Sequence, residues 1–354
     1  NSNTNLKAAG VQVEFTPENV KEYIKCAQDP IYFIENYCYI VTLDHGLQKF
    51  ALYDCQKKKI DIIHNNRRVI LMEGRQQGKT TTSAAYILWY TIFQANKTVA
   101  ILANKATAAR EVLDRYQTMY ELLPKWMQQG VTGWNKGDIE LENRSKVFTA
   151  ATTAAGIRGK SVNMLYIDEA AIIPNTIAEQ FFASVYPTIS SGHDTKVALV
   201  STPNGLNHFY SIWINAIEKR NSYNHILVKW NKVPGRDDKW KQDTLAAMNF
   251  DTEKFDQEYN VEFMGSSGTL IAGWKLKQLV AQTPVHKQDG LYLYSPPELN
   301  HAYVIIADVS RGKGLDYSAF SVIDVTTMPY NQVCVYRNNM LTPADYAGVV
   351  HQIA

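Results

Sequence analysis

The sequence predicts an α/β protein in which a mostly parallel sheet is flanked by helices and is followed by a second, smaller α/β unit. Short apolar runs alternate with longer helical stretches from Arg68 onward. One run leads into a glycine-containing loop and then a helix, and a new α/β alternation begins after the Gly-Ser-Ser-Gly cluster at 265–268. Strands that are buried on both faces and separated by helices are typical of a parallel sheet.

Length and composition agree with a folded chain of two domains. The chain has 354 residues, of which 45% are apolar and 20% are charged, close to the average of globular proteins. The formal net charge of +2 excludes a strongly basic coat, so nucleic-acid binding would need a local basic face. No apolar run reaches the ~18 residues of a membrane span. The four cysteines form no C-x-x-C pair, which disfavours a structural zinc site.

The first regular element is a helix. Thr16-Pro17-Glu18 combines an N-cap hydroxyl, a proline at the first helical position and an early acid, and we expect this helix to run to about Asp29. The following segment, Ile31–Ile40, carries three tyrosines and a phenylalanine. These residues belong to a helical lead-in over about 11–66, which we expect to pack under the domain that follows.

The alternation after Arg68 predicts the strands and helices of the first domain. We predict strands at Val69–Met72, Val99–Ala103, Met164–Ile167 and Val197–Val200. We predict helices at Thr80–Ala95, Thr107–Leu123 and Asn175–Ile189. A polar hairpin interrupts the alternation, with its strands at Asp138–Leu141 and Lys146–Ala150.

A second unit is predicted in the last part of the chain. Its three consecutive strands are expected at Tyr303–Ala307, Ala319–Val325 and Gln332–Tyr336, and a helix begins at Pro343. The Gly-Ser cluster near residue 265 is typical of a domain boundary. We therefore predict a first domain over residues 1–266, a linker over 267–300 and a second domain over 301–354.

The segment after the first buried strand is typical of a phosphate-binding loop. It reads Glu73-Gly74-Arg75-Gln76-Gln77-Gly78-Lys79-Thr80 and enters a helix. A helix N-terminus aims backbone N–H groups and its dipole at phosphate oxygens. Lys79 can reach the β- and γ-phosphates, and the Thr80 hydroxyl can ligate Mg²⁺. The standard spacing has glycine where Glu73 stands, so a chance Gly-Lys-Thr is the alternative; the flanking strand and helix disfavour it.

Two acids follow the strand Met164–Ile167. Asp168 and Glu169 stand at the carboxyl end of a predicted parallel strand, where ligands bind in open α/β sheets. Asp168 is the candidate to hold Mg²⁺, and Glu169 is the candidate general base that polarises the attacking water. The alternative is a strand capped by solvated acids, which the upstream phosphate-binding loop disfavours.

A third polar segment follows the strand Val197–Val200. It reads Ser201-Thr202-Pro203-Asn204. Small hydroxyl groups at this strand end could sense the γ-phosphate and transmit its loss. A helix N-cap before the helix near Leu206 explains the same residues equally well.

These segments, in this order, resemble the large terminase subunit of tailed bacteriophages, especially its T4-like branch. Gly74–Thr80 resembles the family's deviant Walker A motif, Met164–Glu169 its Walker B motif, and Ser201–Gly205 its coupling motif. Further matches are Leu122–Pro124, Trp134–Gly137 and Asn207–Tyr210. The resemblance covers the chain from about Val11 onward. It implies a P-loop fold of the ASCE type followed by an RNase H-like nuclease domain.

The resemblance also implies individual roles. Gln56 would read the adenine edge, although a surface glutamine on a helix is the alternative. Arg75 would stabilise charge on the γ-phosphate and, with Lys79 and Glu169, act in catalysis. Arg158 would enter a neighbouring subunit's site. The nucleotide contacts would come from Gln56, Gly74, Gln76, Gln77, Gly78, Lys79, Thr80, Thr81 and Asp168.

In the second domain the resemblance implies a nuclease metal site. Asp308 and Asp316 would hold Mg²⁺ there, as Thr80 and Asp168 would hold it with ATP. Family nucleases need further acids from later elements, and this chain stops at Ala354 before any of those. We therefore expect no appreciable cleavage of duplex DNA by this chain alone.

The function implied is that of an ATP-driven DNA-packaging motor with ATP and Mg²⁺ as cofactors. The implied partners are double-stranded DNA, a portal protein, a small terminase subunit and other copies in a ring. The implied location is the host cytoplasm, with no membrane partner. A DEAD-like helicase or other nucleic-acid-stimulated P-loop ATPase is the alternative, disfavoured because the region after Gly268 lacks the pattern of a second RecA-like domain. A nucleotide-binding scaffold is disfavoured by the combination of Lys79, Asp168 and Glu169.

Overall fold

The chain divides into two compact units in a computed structural model. They span Asn1–Trp274 and Lys275–Ala354. The structure describes residues 3–42, 44–153, 157, 160–190, 192, 194–264, 282–314 and 316–354.

The first unit contains these strands: β1 (Tyr39–Thr42), β2 (Gly46–Lys49), β3 (Arg68–Glu73), β4 (Thr98–Ala103), β5 (Val131–Trp134), β6 (Asp138–Leu141), β7 (Lys146–Ala151), β8 (Met164–Asp168), β9 (Lys196–Ser201) and β10 (Asn224–Val228). Its helices are α1 (Pro17–Gln28), α2 (Pro30–Tyr37), α3 (Asp54–Asn65), α4 (Lys79–Phe93), α5 (Ala106–Glu121), α6 (Asn175–Ser190), α7 (His208–Ile217), α8 (Asp238–Ala247) and α9 (Thr252–Glu258).

The main sheet of this unit is mostly parallel, as predicted. Within the described residues it has eight strands in the order β10-β3-β9-β8-β4-β7-β6-β5. The strands from β10 to β7 pair in parallel, and β6 and β5 add an antiparallel edge. Strand β9 lies between β3 and β8, so the carboxyl ends of these three strands are neighbours.

Side chains that alternate along β3 enter two different hydrophobic cores. Val69 and Leu71 pack with α4 and α5 on one face, and Ile70 and Met72 pack with α6 and α7 on the other. This burial on both faces explains the continuous apolar runs of the sequence. None of the helices in the described part of the chain offers an apolar stretch of the length that a bilayer crossing needs.

The predicted lead-in covers α4. The side chains of Phe33 and Ile34 in α2 are fully buried, and the Phe33 ring lies 5.1 Å from the ring of Phe93. The Trp89 indole N–H donates to the Cys26 carbonyl at 2.8 Å, which joins α4 to α1. Because α1, α2 and the sheet cover it, α4 is buried on nearly all sides.

Several elements of the first unit have no counterpart in the sequence analysis. The pair β1–β2 is short and β2 is fully exposed, so it has no apolar alternation. Helix α3 carries a run of three lysines, at positions 57–59, that obscures its apolar face. Strand β10 begins with Asn-His and lies at the edge of the sheet, where one face and one side remain open.

The second unit is an antiparallel sheet with one helix across it in the described range. Its elements are β11 (His286–Gln288), β12 (Leu291–Leu293), β13 (Tyr303–Asp308), β14 (Ser318–Asp324), β15 (Asn331–Asn338) and α10 (Pro343–Ile353). The strand order is β11-β12-β15-β14-β13. The stacked rings of Phe320 and Tyr336, 5.2 Å apart, pack against Tyr346 of α10.

The predicted linker over residues 267–300 needs correction. Two strands, β11 and β12, lie within it, and β12 pairs with β15 as part of the second sheet. Each of these strands has only three residues, which is too short for an alternating pattern to be recognised.

The buried side chain of Gln128 is one of the groups that join the N-terminal segment to the core of the first unit. The side chain of Gln128 is 2% exposed. Its Oε1 accepts from the Lys7 N–H at 2.8 Å, and its Nε2 donates to the carbonyls of Asn5, Tyr120 and Leu123 at 2.9, 3.1 and 3.0 Å. Without the Gln128 amide, each of these backbone groups would lose a buried hydrogen-bond partner.

We therefore expect Gln128→Leu to lower the free energy of unfolding by about 3 kcal/mol, because it leaves buried polar groups unsatisfied. Urea unfolding followed by tryptophan fluorescence measures this, since all seven tryptophans belong to the first unit. The matched control is Gln48→Leu on the exposed strand β2. Equal unfolding midpoints for the two variants would contradict the role given to Gln128.

Candidate active site

Three of the predicted segments meet at one edge of the main sheet. The loop of residues 74–78 follows β3, Asp168 is the last residue of β8, and Ser201 is the last residue of β9. Because β9 pairs with both β3 and β8, the three strand ends are adjacent. The structure thus brings together segments that are far apart in the sequence.

Both glycines of the loop are closely packed, and the backbone conformation of Gly78 also favours glycine. Gly78 has φ 73°, in the left-handed region, and a Cβ there would lie 2.6 Å from Gln56 Nε2. A Cβ on Gly74 would lie 2.7 Å from Gln77 Nε2 and 3.1 Å from the Tyr259 carbonyl oxygen. The loop is therefore compact although its first glycine comes one residue later than the standard spacing.

Four predicted side chains form one polar cluster at the start of α4. Lys79 Nζ lies 2.9 Å from Glu169 Oε1, and the Thr80 hydroxyl donates to Asp168 Oδ2 at 3.2 Å. Glu169 has φ 51°, and its N–H donates to Asp168 Oδ1 at 3.2 Å. This left-handed turn directs the carboxylate of Glu169 back towards Lys79.

The cluster has the ligand chemistry of a Mg²⁺ site. Asp168 is 6% exposed, and burial raises the pKa of its carboxyl while the nearby Lys79 opposes this rise. A cation beside Asp168 would favour its charged form. The Thr80 hydroxyl and the Asp168 carboxylate are hard oxygen ligands of the type that Mg²⁺ prefers.

The loop also contains buried polar atoms that suit an anionic ligand. Gln77 is 2% exposed, and neither polar atom of its amide has a hydrogen-bond partner within the described residues. A buried amide without a partner is destabilising. A phosphate oxygen in the loop would supply an acceptor for its N–H, as the helix N-terminus at Lys79 also requires.

Gln56 lies on α3 and contacts the loop directly. It is 4% exposed, its Nε2 donates to the Gln77 carbonyl at 3.0 Å, and its Oε1 accepts from the Tyr53 N–H at 3.0 Å. The surface-glutamine alternative is therefore wrong. The amide retains a second N–H and a second lone pair, so the adenine-reading role stays a prediction.

Arg75 is held by the last residue of α9. Its Nε lies 2.5 Å from Glu258 Oε2, and its backbone N–H donates to the Glu258 carbonyl at 2.8 Å. The hydrogen bond with Glu258 raises the pKa of the Arg75 guanidinium. The Arg75 side chain is 59% exposed, so water and ligands have access to it.

A second arginine supports the same loop from the segment before α8. Arg236 donates to the carbonyls of Arg75 and Gln76 at 3.3 and 2.7 Å. Its guanidinium lies 4.4 Å from the centre of the Trp240 ring, which fixes its orientation. The region of α8 and α9 therefore contacts this loop through two side chains, Glu258 and Arg236.

The predicted coupling segment contacts the turn after Glu169. Ser201 Oγ accepts from the Ala171 N–H at 3.1 Å, and Asn204 Nδ2 donates to the Ala171 carbonyl at 3.3 Å. The Pro203 carbonyl accepts from Gln257 of α9 at 3.1 Å, and the Thr202 side chain is buried at the same strand end. The segment thus lies between the acidic pair and α9.

The alternative reading of the coupling segment as a helix N-cap is wrong. The N-cap of α7 is Asn207, whose Oδ1 accepts from the backbone N–H groups of Phe209 and Tyr210. Its Nδ2 also donates to the Ala171 carbonyl at 2.6 Å. Asn207 therefore joins α7 to the turn that follows Glu169.

The remaining predicted site residues lie elsewhere. Arg158 is outside the described residues. Asp308 ends β13 and Asp316 precedes β14; both are exposed, and the pairing of Asp308 with Ala319 places them at the same end of these strands. In the described ranges no group of three or more His, Cys, Asp or Glu side chains forms a metal cluster.

Sequence reasoning missed the residues that contact the loop from a distance. Lys59, Arg236 and Glu258 approach it from α3 and from the region of α8 and α9, and Gln257 of α9 contacts the neighbouring segment at Pro203. None of them stands in a local motif, because each meets its partner only through the folded chain. Lys59 lies in a lysine run, a pattern that is typical of a solvated helix face. This pattern therefore predicts an exposed side chain, which differs from the position that the structure shows.

Comparison with known proteins places this chain in a family. A family model described as the N-terminal part of the T4likevirus-type terminase large subunit matches residues 70–278. The terminase large subunits of Thermus virus P23-45 and Thermus phage G20c are each 28% identical over 204 residues. These matches span 53% of this chain but only 39% of the length of each relative.

A solved structure shows the same fold. The large terminase of bacteriophage HK97 has a TM-score of 0.58 with this chain at 16% identity, covering 87% of this chain and 67% of that one. Together with the family model, which matches more than half of the residues, this agrees with the fold predicted from the sequence. The chain belongs to the T4likevirus-type terminase large subunit family.

Proposed function

We propose that this chain contains the ATP-driven motor of a viral DNA-packaging terminase. It would hydrolyse ATP in a Mg²⁺-dependent reaction and couple hydrolysis to the movement of double-stranded DNA into a procapsid. The observation that carries the proposal is the cluster of Lys79, Thr80, Asp168 and Glu169 at adjacent strand ends. These residues supply a phosphate-binding cation, two metal ligands and a general base in one place.

The binding step follows from the geometry of the loop. ATP phosphates in the loop would accept from backbone N–H groups at the start of α4 and from Lys79. Thr80 and Asp168 would hold Mg²⁺, which supplies positive charge to the phosphate oxygens when it is bound. Gln56 would approach the adenine from α3.

The proton-transfer step depends on Glu169. Its carboxylate faces Lys79 at 2.9 Å, so the phosphates compete with Glu169 for the same ammonium group. Once Lys79 is drawn to the phosphates, Glu169 is free to accept a proton from the attacking water. Because the phosphoryl group is transferred to water, the reaction is a hydrolysis.

Arg75 would change partners in the same way. The Glu258 carboxylate now holds its guanidinium, and the γ-phosphate would attract it more strongly as charge develops in the transition state. Glu258 is the neighbour of Gln257, which contacts the Pro203 carbonyl. Loss of the γ-phosphate would thus reach α9 both through Arg75 and through the segment Ser201–Asn204.

The remaining roles rest on family membership. We propose double-stranded DNA, a portal protein, a small terminase subunit and further copies in a ring as partners, in the host cytoplasm. Arg158 would act on a neighbouring subunit's site in such a ring. Asp308 and Asp316 would contribute to a nuclease metal site in the second unit.

Lys79→Ala should abolish ATP hydrolysis, because the phosphates lose their fixed cation. Phosphate release with and without duplex DNA measures this, and the wild-type rate should rise with DNA. The matched control is Lys105→Ala, an exposed lysine at the position before α5 whose side chain makes no capping hydrogen bond. Turnover of Lys79→Ala within about threefold of wild type would contradict the site, since a tenfold loss corresponds to ~1.4 kcal/mol of barrier.

Glu169→Gln should bind ATP at least as tightly as wild type, because the amide no longer competes for Lys79, and should lose at least about 100-fold in turnover, because the amide cannot accept the proton. Equilibrium titration with ATP and single-turnover hydrolysis separate the two effects. A parallel loss of nucleotide affinity would instead assign Glu169 to binding or structure.

Glu258→Gln should lower the KM for ATP by about fivefold, because a partly exposed ion pair of about 1 kcal/mol no longer competes for Arg75. Arg75→Ala should lower kcat more than it changes KM, the signature of a contact made in the transition state. Steady-state kinetics of both variants test this. If Glu258→Gln raises KM, the carboxylate supports nucleotide binding and does not compete with it.

A further inference from the structure

A buried ion pair lies beneath the phosphate-binding loop. Lys59 of α3 is fully buried and Glu73 at the end of β3 is 3% exposed, and Lys59 Nζ lies 2.7 Å from Glu73 Oε1. The same Nζ donates to the carbonyl oxygen of Lys79 at 2.7 Å. Neither Lys59 nor Glu73 has a role in the hydrolysis described above.

One ammonium group therefore joins both ends of the loop. Glu73 is the last residue before the loop, and Lys79 is the first residue of α4 after it. Gln56 stands one turn before Lys59 on α3 and donates to the Gln77 carbonyl at 3.0 Å. Residues three apart lie on the same face of a helix, so α3 contacts the loop through two neighbouring side chains.

Glu73 depends on this contact. It stands where the standard phosphate-binding spacing has glycine, and apart from Lys59 Nζ its Oε1 has no polar partner within the described residues. The ion pair is therefore the interaction that compensates its buried charge. A buried carboxylate without a cation is strongly destabilising, so glutamate at this position requires a cation such as Lys59.

We propose that Lys59 is a positioning residue of the nucleotide site, paired with Glu73 in place of the usual first glycine. It holds the end of β3 and the start of α4 at the separation at which the backbone N–H groups of the loop converge on phosphate. This proposal rests on the proposed function. It implies that Glu73→Gly, which restores the standard spacing, weakens nucleotide binding because it leaves Lys59 buried without its partner.

The experiment compares Lys59→Met, Glu73→Gly and the double variant Lys59→Met/Glu73→Gln. The double variant removes both buried charges and keeps similar side-chain volumes. Thermal melting reports folding, and calorimetric titration with Mg-ADP reports the site without any turnover. The control is Lys57→Met, which removes the exposed pair between Lys57 and Glu35 (2.9 Å) on the same helix.

The expected result separates positioning from folding. Each single variant should melt at a lower temperature and bind ADP at least about tenfold more weakly, which is ~1.4 kcal/mol. The double variant should melt near the wild-type temperature and still bind ADP about tenfold more weakly, because the contact with the Lys79 carbonyl is gone. Lys57→Met should match wild type in both measurements.

Two results would overturn the proposal. One is a double variant that matches wild type in both melting and ADP affinity, since the pair would then act only in folding. The other is a double variant that fails to fold, since neutral removal of the pair is expected to leave the fold intact. Wild-type binding of Mg-ADP, abolished in Lys79→Ala, tests the proposed function separately in the same titration.

Discussion

The parallel pairing of β3, β9 and β8 is the constraint on which the candidate site depends. In a parallel sheet all strands end at the same edge, so segments that follow these strands are brought together whatever their distance in sequence. The insertion of β9 between β3 and β8 places Ser201 beside both the phosphate-binding loop and Asp168. A register shift at β9 would separate the three segments, and no local interaction among them could restore the arrangement.

Three basic residues around the loop are each paired with a carboxylate, and the pairs differ in their access to water. In the pairs Lys79–Glu169 and Arg75–Glu258, at least one side chain is about one third or more exposed. In these two pairs the basic residue can exchange its carboxylate partner for phosphate at a modest cost in free energy. In the pair Lys59–Glu73, both side chains are at most 4% exposed, so exchange would leave a buried charge uncompensated. The first two pairs therefore suit a catalytic cycle, and the third suits a fixed support.

Much of the fold and the central site could be predicted from sequence because they depend on local patterns. The buried strands appear as apolar runs, and the residues 73–80 and 164–169 are contiguous segments beside them. The missing parts depend on contacts between distant residues: Glu258 lies 183 positions from Arg75. Strands β11 and β12 are too short to show alternation, and Lys59 is buried although its neighbours in the chain suggest a solvated face.

The most direct test is a crystal structure of this chain with Mg²⁺ and a non-hydrolysable ATP analogue. The account predicts that Lys79 Nζ and the Arg75 guanidinium contact the phosphates and have left Glu169 and Glu258. It also predicts that the contact of 2.7 Å between Lys59 and Glu73 is retained. A nucleotide bound away from residues 74–80, or bound there with both exposed pairs intact, would contradict the account.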